Sequence, residues 1–240
     1  MSEKILGVLG GMGPLASAHF MMRLTLLTPA SCDQEHVPAI LWSDPRIPDR
    51  GNALRGGPDP FPAFRRAIDG LQSIGCTAIA IPCNTAHGWF DRMQDYASVP
   101  ILHIVDAAAA ELRKVAPEGA RVGVMGTSAT LEMRLYQDRL TALGWDVIVP
   151  SEAEMAELVM PAIRMVKANQ LAQSFAPAAQ VVTSLAARGA QAVILGCTEL
   201  PLAVQAGPLS SLPVPIVDTI DALARASIAW ARAEDASAKR

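Results

Sequence analysis

Short apolar runs, each closed by a small or polar turn and followed by a stretch of helical spacing, recur along this chain. Residues 5–9 are an apolar run suited to a strand covered on both faces. Gly10-Gly11-Met12-Gly13-Pro14 breaks it, Pro14 fits the first turn of a helix, and residues 15–27 carry helical apolar spacing. Strands are expected at 39–42, 77–81 and 101–105, with helices at 61–74, 88–96 and 106–115. A polar loop at 43–60, rich in Pro, Gly, Asp and Arg, has the length of a functional or mobile segment. The second half predicts strands at 121–125, 146–149, before Cys197 and at 215–217, and helices at 131–143, 152–167, 170–188 and 219–233, before a charged tail.

The second half repeats the first. GCTAIAIPCNTAH from Gly75 aligns with GAQAVILGCTEL from Gly189, which places Cys83 over Cys197 at a separation of 114 residues. GVLGG at Gly7 matches GVMGT at Gly123, 116 residues on, and VPILHIVDA at Val99 matches VPIVDTIDA at Val214, 115 residues on. Alternating strands and helices imply parallel sheets. The fold class expected is α/β, in two pseudo-symmetric lobes. Each is a mostly parallel four-stranded sheet flanked by helices, with the active site in the cleft between them. Ligands of open α/β sheets bind beyond the carboxyl ends of the strands, so Cys83 and Cys197 are expected to face one cleft from opposite sides.

Composition narrows the function classes. With 240 residues, 51% hydrophobic and 18% charged, the chain can bury a sizeable core. A net charge of −3 with mixed acids and bases carries no footprint for nucleic acid. No apolar run is long enough to span a membrane. The start MSEKILGVLGG lacks the regions of a signal peptide, so a cytoplasmic protein with free thiols is expected. The four cysteines have no zinc-site spacing, and no metal is expected. GGMG lacks the spacing and the acidic partner of a dinucleotide site.

Cys32 and Cys76 are read as core, since cysteine is a commonly buried residue. Cys83 and Cys197 differ: each closes a strand beside a helix start, where backbone N–H groups are expected to lower a thiol pKa. Two thiols on opposite faces of one carbon suit inversion of a stereocentre. One thiolate takes a proton, the other thiol delivers one, and fixed donors stabilise the carbanion between them. The candidate donors are Asn84, Thr85, Thr127, Ser128, Thr198 and the 10–13 turn that contains Met12. Glu199 starts a helix, where a carboxylate complements the dipole. It can also tune Cys197 or receive its proton. His87 is read as a partly buried helix histidine.

These residues resemble the aspartate/glutamate racemase superfamily, in its branch of pyridoxal-phosphate-independent aspartate racemases. The resemblance is carried by GGMGPLA (10–16), DQEH (33–36), IPDR (47–50), PCNTAH (82–87), VKANQL (166–171) and GCTEL (196–200). It implies cofactor-independent racemisation of an acidic amino acid, aspartate or glutamate, with Cys83 and Cys197 as the acid/base pair. It implies Arg50 and Lys167 as carboxylate ligands, with Asn84, Thr85, Thr127 and Thr198 lining the pocket; Met12, Ser128 and Glu199 are counted with them as substrate-binding candidates. Arg46 is a rival to Arg50 on residue type alone. A homodimer is implied, as is a discontinuous chain in which the last strand and helix return to the first lobe: 1–100 plus 213–240, against 101–212. The chain departs from the motifs at two points: Gly51 follows IPDR where Thr is usual, and Ala129 stands in a Thr-x-Gly-Thr turn. Alternatives are a racemase for another amino acid or hydantoin, a maleate-type isomerase, and a non-catalytic ligand-binding relative.

Overall fold

The computed structural model describes residues 4–233, so the charged tail expected after the last helix lies outside the described residues. The first half runs β1 (Leu6–Gly10), α1 (Pro14–Leu27), β2 (Ala39–Ser43), α2 (Arg50–Leu54), α3 (Phe61–Ser73), β3 (Ala78–Ala80), α4 (Phe90–Tyr96), β4 (Ile101–Leu102) and α5 (Ile104–Leu112). The second runs β5 (Arg121–Gly126), α6 (Ser128–Glu132), α7 (Gln137–Ala142), β6 (Asp146–Ile148), α8 (Glu152–Glu154), α9 (Met160–Lys167), α10 (Leu171–Ala187), β7 (Ala192–Gly196), α11 (Leu200–Gln205), β8 (Ile216–Asp218) and α12 (Thr219–Arg232).

The strands form two four-stranded parallel sheets, β2-β1-β3-β4 and β6-β5-β7-β8, so the sequence repeat is a repeat of topology. Side chains alternate along each strand. Leu6, Val8, Ala78 and Ala80 of the first sheet share one core with Val122, Val124, Ala192 and Ile194 of the second. Leu9, Ile79 and Ile81 face outward into a core with α3, and Val193 and Leu195 into another with α9 and α10. Three apolar layers thus sandwich the two sheets, and the continuous apolar runs of β1 and β7 are buried on both faces.

In each sheet the winding direction reverses between the first and third strands, the crevice where α/β sheets bind ligands. The 10–13 turn and Cys83 lie at that reversal in the first lobe; Thr127 and Cys197 lie there in the second. Gly11 makes the first turn possible: its φ is +93°, and a Cβ there would lie 2.5 Å from the Asp44 backbone. Ser17 holds the turn by accepting from Gly11 N at 2.9 Å and donating to Gly13 O at 2.9 Å.

One expectation needs correction. The last strand does not return to the first lobe: β8 pairs with β7, and β4 pairs with β3. Only helices cross. α12 packs on α1, and α5 packs on β7 and β8. The cause is that a strand's backbone groups are satisfied by the adjacent strand, whereas an apolar helix face can turn onto either lobe. Boundaries at 100 and 213 therefore fall just before the strands β4 and β8. The bidentate Arg23–Asp221 pair, at 2.6 and 2.7 Å, then joins α1 to α12.

Other elements also differ from the pattern. The 131–143 stretch is two short helices, broken where Arg134 takes a φ of +54°. The 152–167 helix contains one wide turn, Met155–Val159, just ahead of Pro161. The long loop folds the short helix α2, and Cys32 is exposed rather than core.

Candidate active site

Between the carboxyl ends of the two sheets lies a cavity of about 250 Å³. Both thiols line it: Cys83, two residues beyond the outward-facing Ile81, and Cys197, directly after β7. Every site residue expected from the sequence lines it too: Met12, Arg50, Asn84, Thr85, Thr127, Ser128, Lys167, Thr198 and Glu199. A second cavity of about 670 Å³ adjoins it and shares Met12, Arg50, Lys167 and Glu199.

Arg50 is 9% exposed, far from the solvated surface residue its loop suggests. Asp49 caps α2 by accepting from Asn52 N at 2.7 Å, which fixes the helix that Arg50 begins. The guanidinium donates to the Ile47 and Pro48 carbonyls, but its Nε is buried without a partner among the described residues. A buried unpaired donor of that charge fits an anionic ligand. The rival Arg46 is spent on Asp44 in an exposed pair and does not line the cavity.

Cys197 is held by its neighbour. Its Sγ donates to Glu199 Oε2 at 3.0 Å, and Thr198 lies 3.5 Å from the same oxygen. Burial pushes the thiol pKa well up, the Glu199 carboxylate adds to this by charge and by hydrogen bond, and the Lys167 ammonium opposes it. This overturns the expectation of a lowered thiol pKa at this position. Glu199 is the N-cap residue of the six-residue α11, but its side chain makes no cap hydrogen bond and lies against the thiol instead. Glu199 also leans on the opposite lobe, because a Cβ on Gly13 would lie 3.1 Å from Oε1.

The other donors are tied across the lobes. Thr85 of the first meets Thr127 and Thr130 of the second at 3.0 and 2.9 Å, and Thr127 and Thr130 are 2.9 Å apart. His87 is fully buried and uses both ring nitrogens on backbone, Nδ1 with Cys83 O at 2.9 Å and Nε2 with Ile104 N at 3.2 Å. Nε2 accepts, so Nδ1 carries the hydrogen and the ring is neutral. Burial lowers its pKa to about 4.

Four cations line the cavity: Arg50, Lys167 and two that the motifs do not point to, Arg55 and Arg164. Arg164 had a signal, since it precedes Lys167 by three residues, and Met160, Ile163, Arg164 and Lys167 form one stripe of α9. Arg55 had none beyond its place in a polar loop. The two motif departures meet here: a Cβ on Gly51 would lie 3.6 Å from the Ala129 methyl and 3.7 Å from Arg55. A methyl on one wall stands opposite an absent side chain on the other. Among the described residues no cluster of His, Cys, Asp and Glu suits a metal ion, and no helix is long and apolar enough to cross a membrane.

Residues 9–227 match the family described as Asp/Glu/Hydantoin racemase. The chain is 29% identical over 234 residues to a broad specificity amino-acid racemase of Bacillus subtilis, covering 93% of this chain and 96% of the relative. It is similar in structure to the aspartate racemase of Picrophilus torridus, with a TM-score of 0.83, 32% identity and coverage of 95% and 94%. An aspartate racemase homologue from Pyrococcus horikoshii gives a TM-score of 0.77 at 25% identity, over 96% of this chain and 100% of the other.

Proposed function

Because the chain belongs to the Asp/Glu/hydantoin racemase family and is an amino-acid racemase, we propose that it interconverts L- and D-aspartate by proton transfer between Cys83 and Cys197. The observation that carries this reading is the meeting of two thiols, from matched strand ends of the two lobes, in one small cavity with four cations. Arg50 and Lys167 bind the two substrate carboxylates. One cysteine, as thiolate, removes the α-proton, and the C–H electron pair moves into an enediolate on the α-carboxylate. The other cysteine then donates its proton to the opposite face, and the configuration inverts. Asn84, Thr85, Thr127, Ser128 and Thr198 supply donors to the developing charge. Glu199 receives the Cys197 proton when that residue must act as base, and Met12 walls the site. Glutamate is the second substrate of this reading, and a homodimer in the cytoplasm is part of it.

The Picrophilus torridus relative favours aspartate. The Bacillus subtilis relative, described as of broad specificity, is the reason to include neutral amino acids in the test. The metal-free, cofactor-free protein is incubated in D₂O with single enantiomers of aspartate, glutamate, alanine and serine. Proton NMR follows loss of the α-proton, and chiral chromatography follows inversion. Aspartate is expected to lose its α-proton and invert, and Cys83→Ala or Cys197→Ala each to abolish inversion. Full racemisation surviving either substitution refutes the two-thiol mechanism, and faster turnover of a neutral amino acid refutes the substrate.

A further inference from the structure

Tyr136 is completely buried, does not line the cavity, and has no part in the steps above. Its hydroxyl donates to Asn84 Oδ1 at 2.5 Å, Asn84 Nδ2 donates to Thr219 Oγ1 at 3.2 Å, and Thr219 Oγ1 donates to Leu195 O at 2.8 Å. The directions along this chain are forced. The Leu195 carbonyl can only accept, so it takes the single hydroxyl hydrogen of Thr219, which can then only accept from Asn84. The amide nitrogen of Asn84 therefore faces Thr219, its oxygen faces Tyr136, and the phenol must donate. Burial raises the Tyr136 pKa well above its usual value, and a thiolate at Cys197 raises it further, so the phenol keeps the proton it donates. The ring itself is wedged beside Gly196, where a Cβ would lie 3.1 Å from Cε2.

An amide nitrogen carries two hydrogens, and Thr219 takes one. Asn84 lines the cavity beside Cys83, while Leu195 stands two residues before Cys197. We propose that Tyr136 is a positioning residue of the racemase: it locks the Asn84 amide so that the second N–H, not the carbonyl, faces a substrate carboxylate. The inference rests on the acidic amino-acid reading for its substrate, but not for its geometry. Without the phenol only the Thr219 hydrogen bond holds the amide, so a turn that presents its oxygen, which repels a carboxylate, costs one hydrogen bond instead of two. Second-lobe residues thus set the polarity of a first-lobe donor.

The test is Tyr136→Phe in the full chain, alone and combined with Asn84→Ala. For L-aspartate, Tyr136→Phe is expected to lower kcat/KM about tenfold, chiefly through KM. In the Asn84→Ala background the same change is expected to have no further effect. An equal loss in both backgrounds overturns the proposal. A readout independent of turnover uses ¹⁵N-labelled protein, the Asn84 side-chain amide being identified by its disappearance in Asn84→Ala. Its signal is expected to be protected from solvent exchange, to shift on addition of succinate, and to lose protection in Tyr136→Phe. An amide that is unprotected in the parent chain, or equally protected in Tyr136→Phe, overturns the assignment. A parent chain that racemises none of the amino acids refutes the proposed function, while the amide signal still decides the role of Tyr136.

Discussion

Glu199 decides the resting state of Cys197 before any substrate arrives. With the thiol donating to a carboxylate at 3.0 Å, and burial and that charge both raising its pKa, Cys197 rests protonated. Replacing Glu199 by Gln removes the charge and should lower the Cys197 pKa. Each unit of fall multiplies the thiolate fraction, and hence alkylation at neutral pH, by about tenfold. Iodoacetamide labelling of Cys197 against pH checks this, and an unchanged profile would show that burial alone holds the thiol. The enantiomers of a free amino acid are equal in energy, so any substitution here must change kcat/KM by one factor in both directions. The GCTEL phrase makes Glu199 a candidate for this role from sequence, but the sign of the effect was hidden. It depends on the carboxylate lying within hydrogen-bond distance of the thiol, and on how completely the pair is buried.

At the scale of elements, His87 joins the turn after β3 to the first residue of α5 through two backbone hydrogen bonds. It is neutral in the fold, with a pKa of about 4, against 6.5 for the ordinary side chain. Unfolding takes up a proton between those values, so stability falls as pH drops through that window. A shift of this size in a buried ring corresponds to roughly 3 kcal/mol. His103, lowered by burial and by the nearby His87 ring, acts in the same direction. Asp218 opposes them, because burial raises its pKa to about 6 and the folded chain then holds a proton the unfolded chain releases. The midpoint of thermal unfolding is expected to fall between about pH 6.5 and pH 4. In His87→Gln, which replaces the ring with a group that does not titrate, the fall should be shallower. Calorimetry over that range checks this, and parallel curves would refute it. Spacing alone anticipated most strands to within a residue or two, because a buried parallel strand writes a continuous apolar run. The break at Arg134 and the wide turn at Met155–Val159 were not legible, since both leave apolar spacing intact.

The whole molecule carries a net charge of −3, yet its cleft gathers Arg50, Arg55, Arg164 and Lys167 against Asp49 and Glu199. Attraction of an acidic substrate is thus a local field of the cleft, not a property of overall charge. Arg55→Ala and Arg164→Ala are each expected to lower kcat/KM for aspartate about two- to fivefold, since exposed charges contribute little individually. Added salt should narrow the difference by screening. Steady-state kinetics across a salt series checks this, and a loss that does not depend on salt would mean direct contact instead. The sequence by itself determined the two-lobed repeat, the strand ends that carry Cys83 and Cys197, and the motif residues that line the cavity, though not Arg55 or Arg164. Those features are written in local spacing and in short phrases. Tertiary structure decided which helices cross between lobes, that Arg50 is buried with a free Nε, that Cys197 rests against Glu199, and that Tyr136 reaches Asn84. Each of these depends on burial or on hydrogen bonds set by packing, and burial belongs to the assembled core rather than to any stretch of chain.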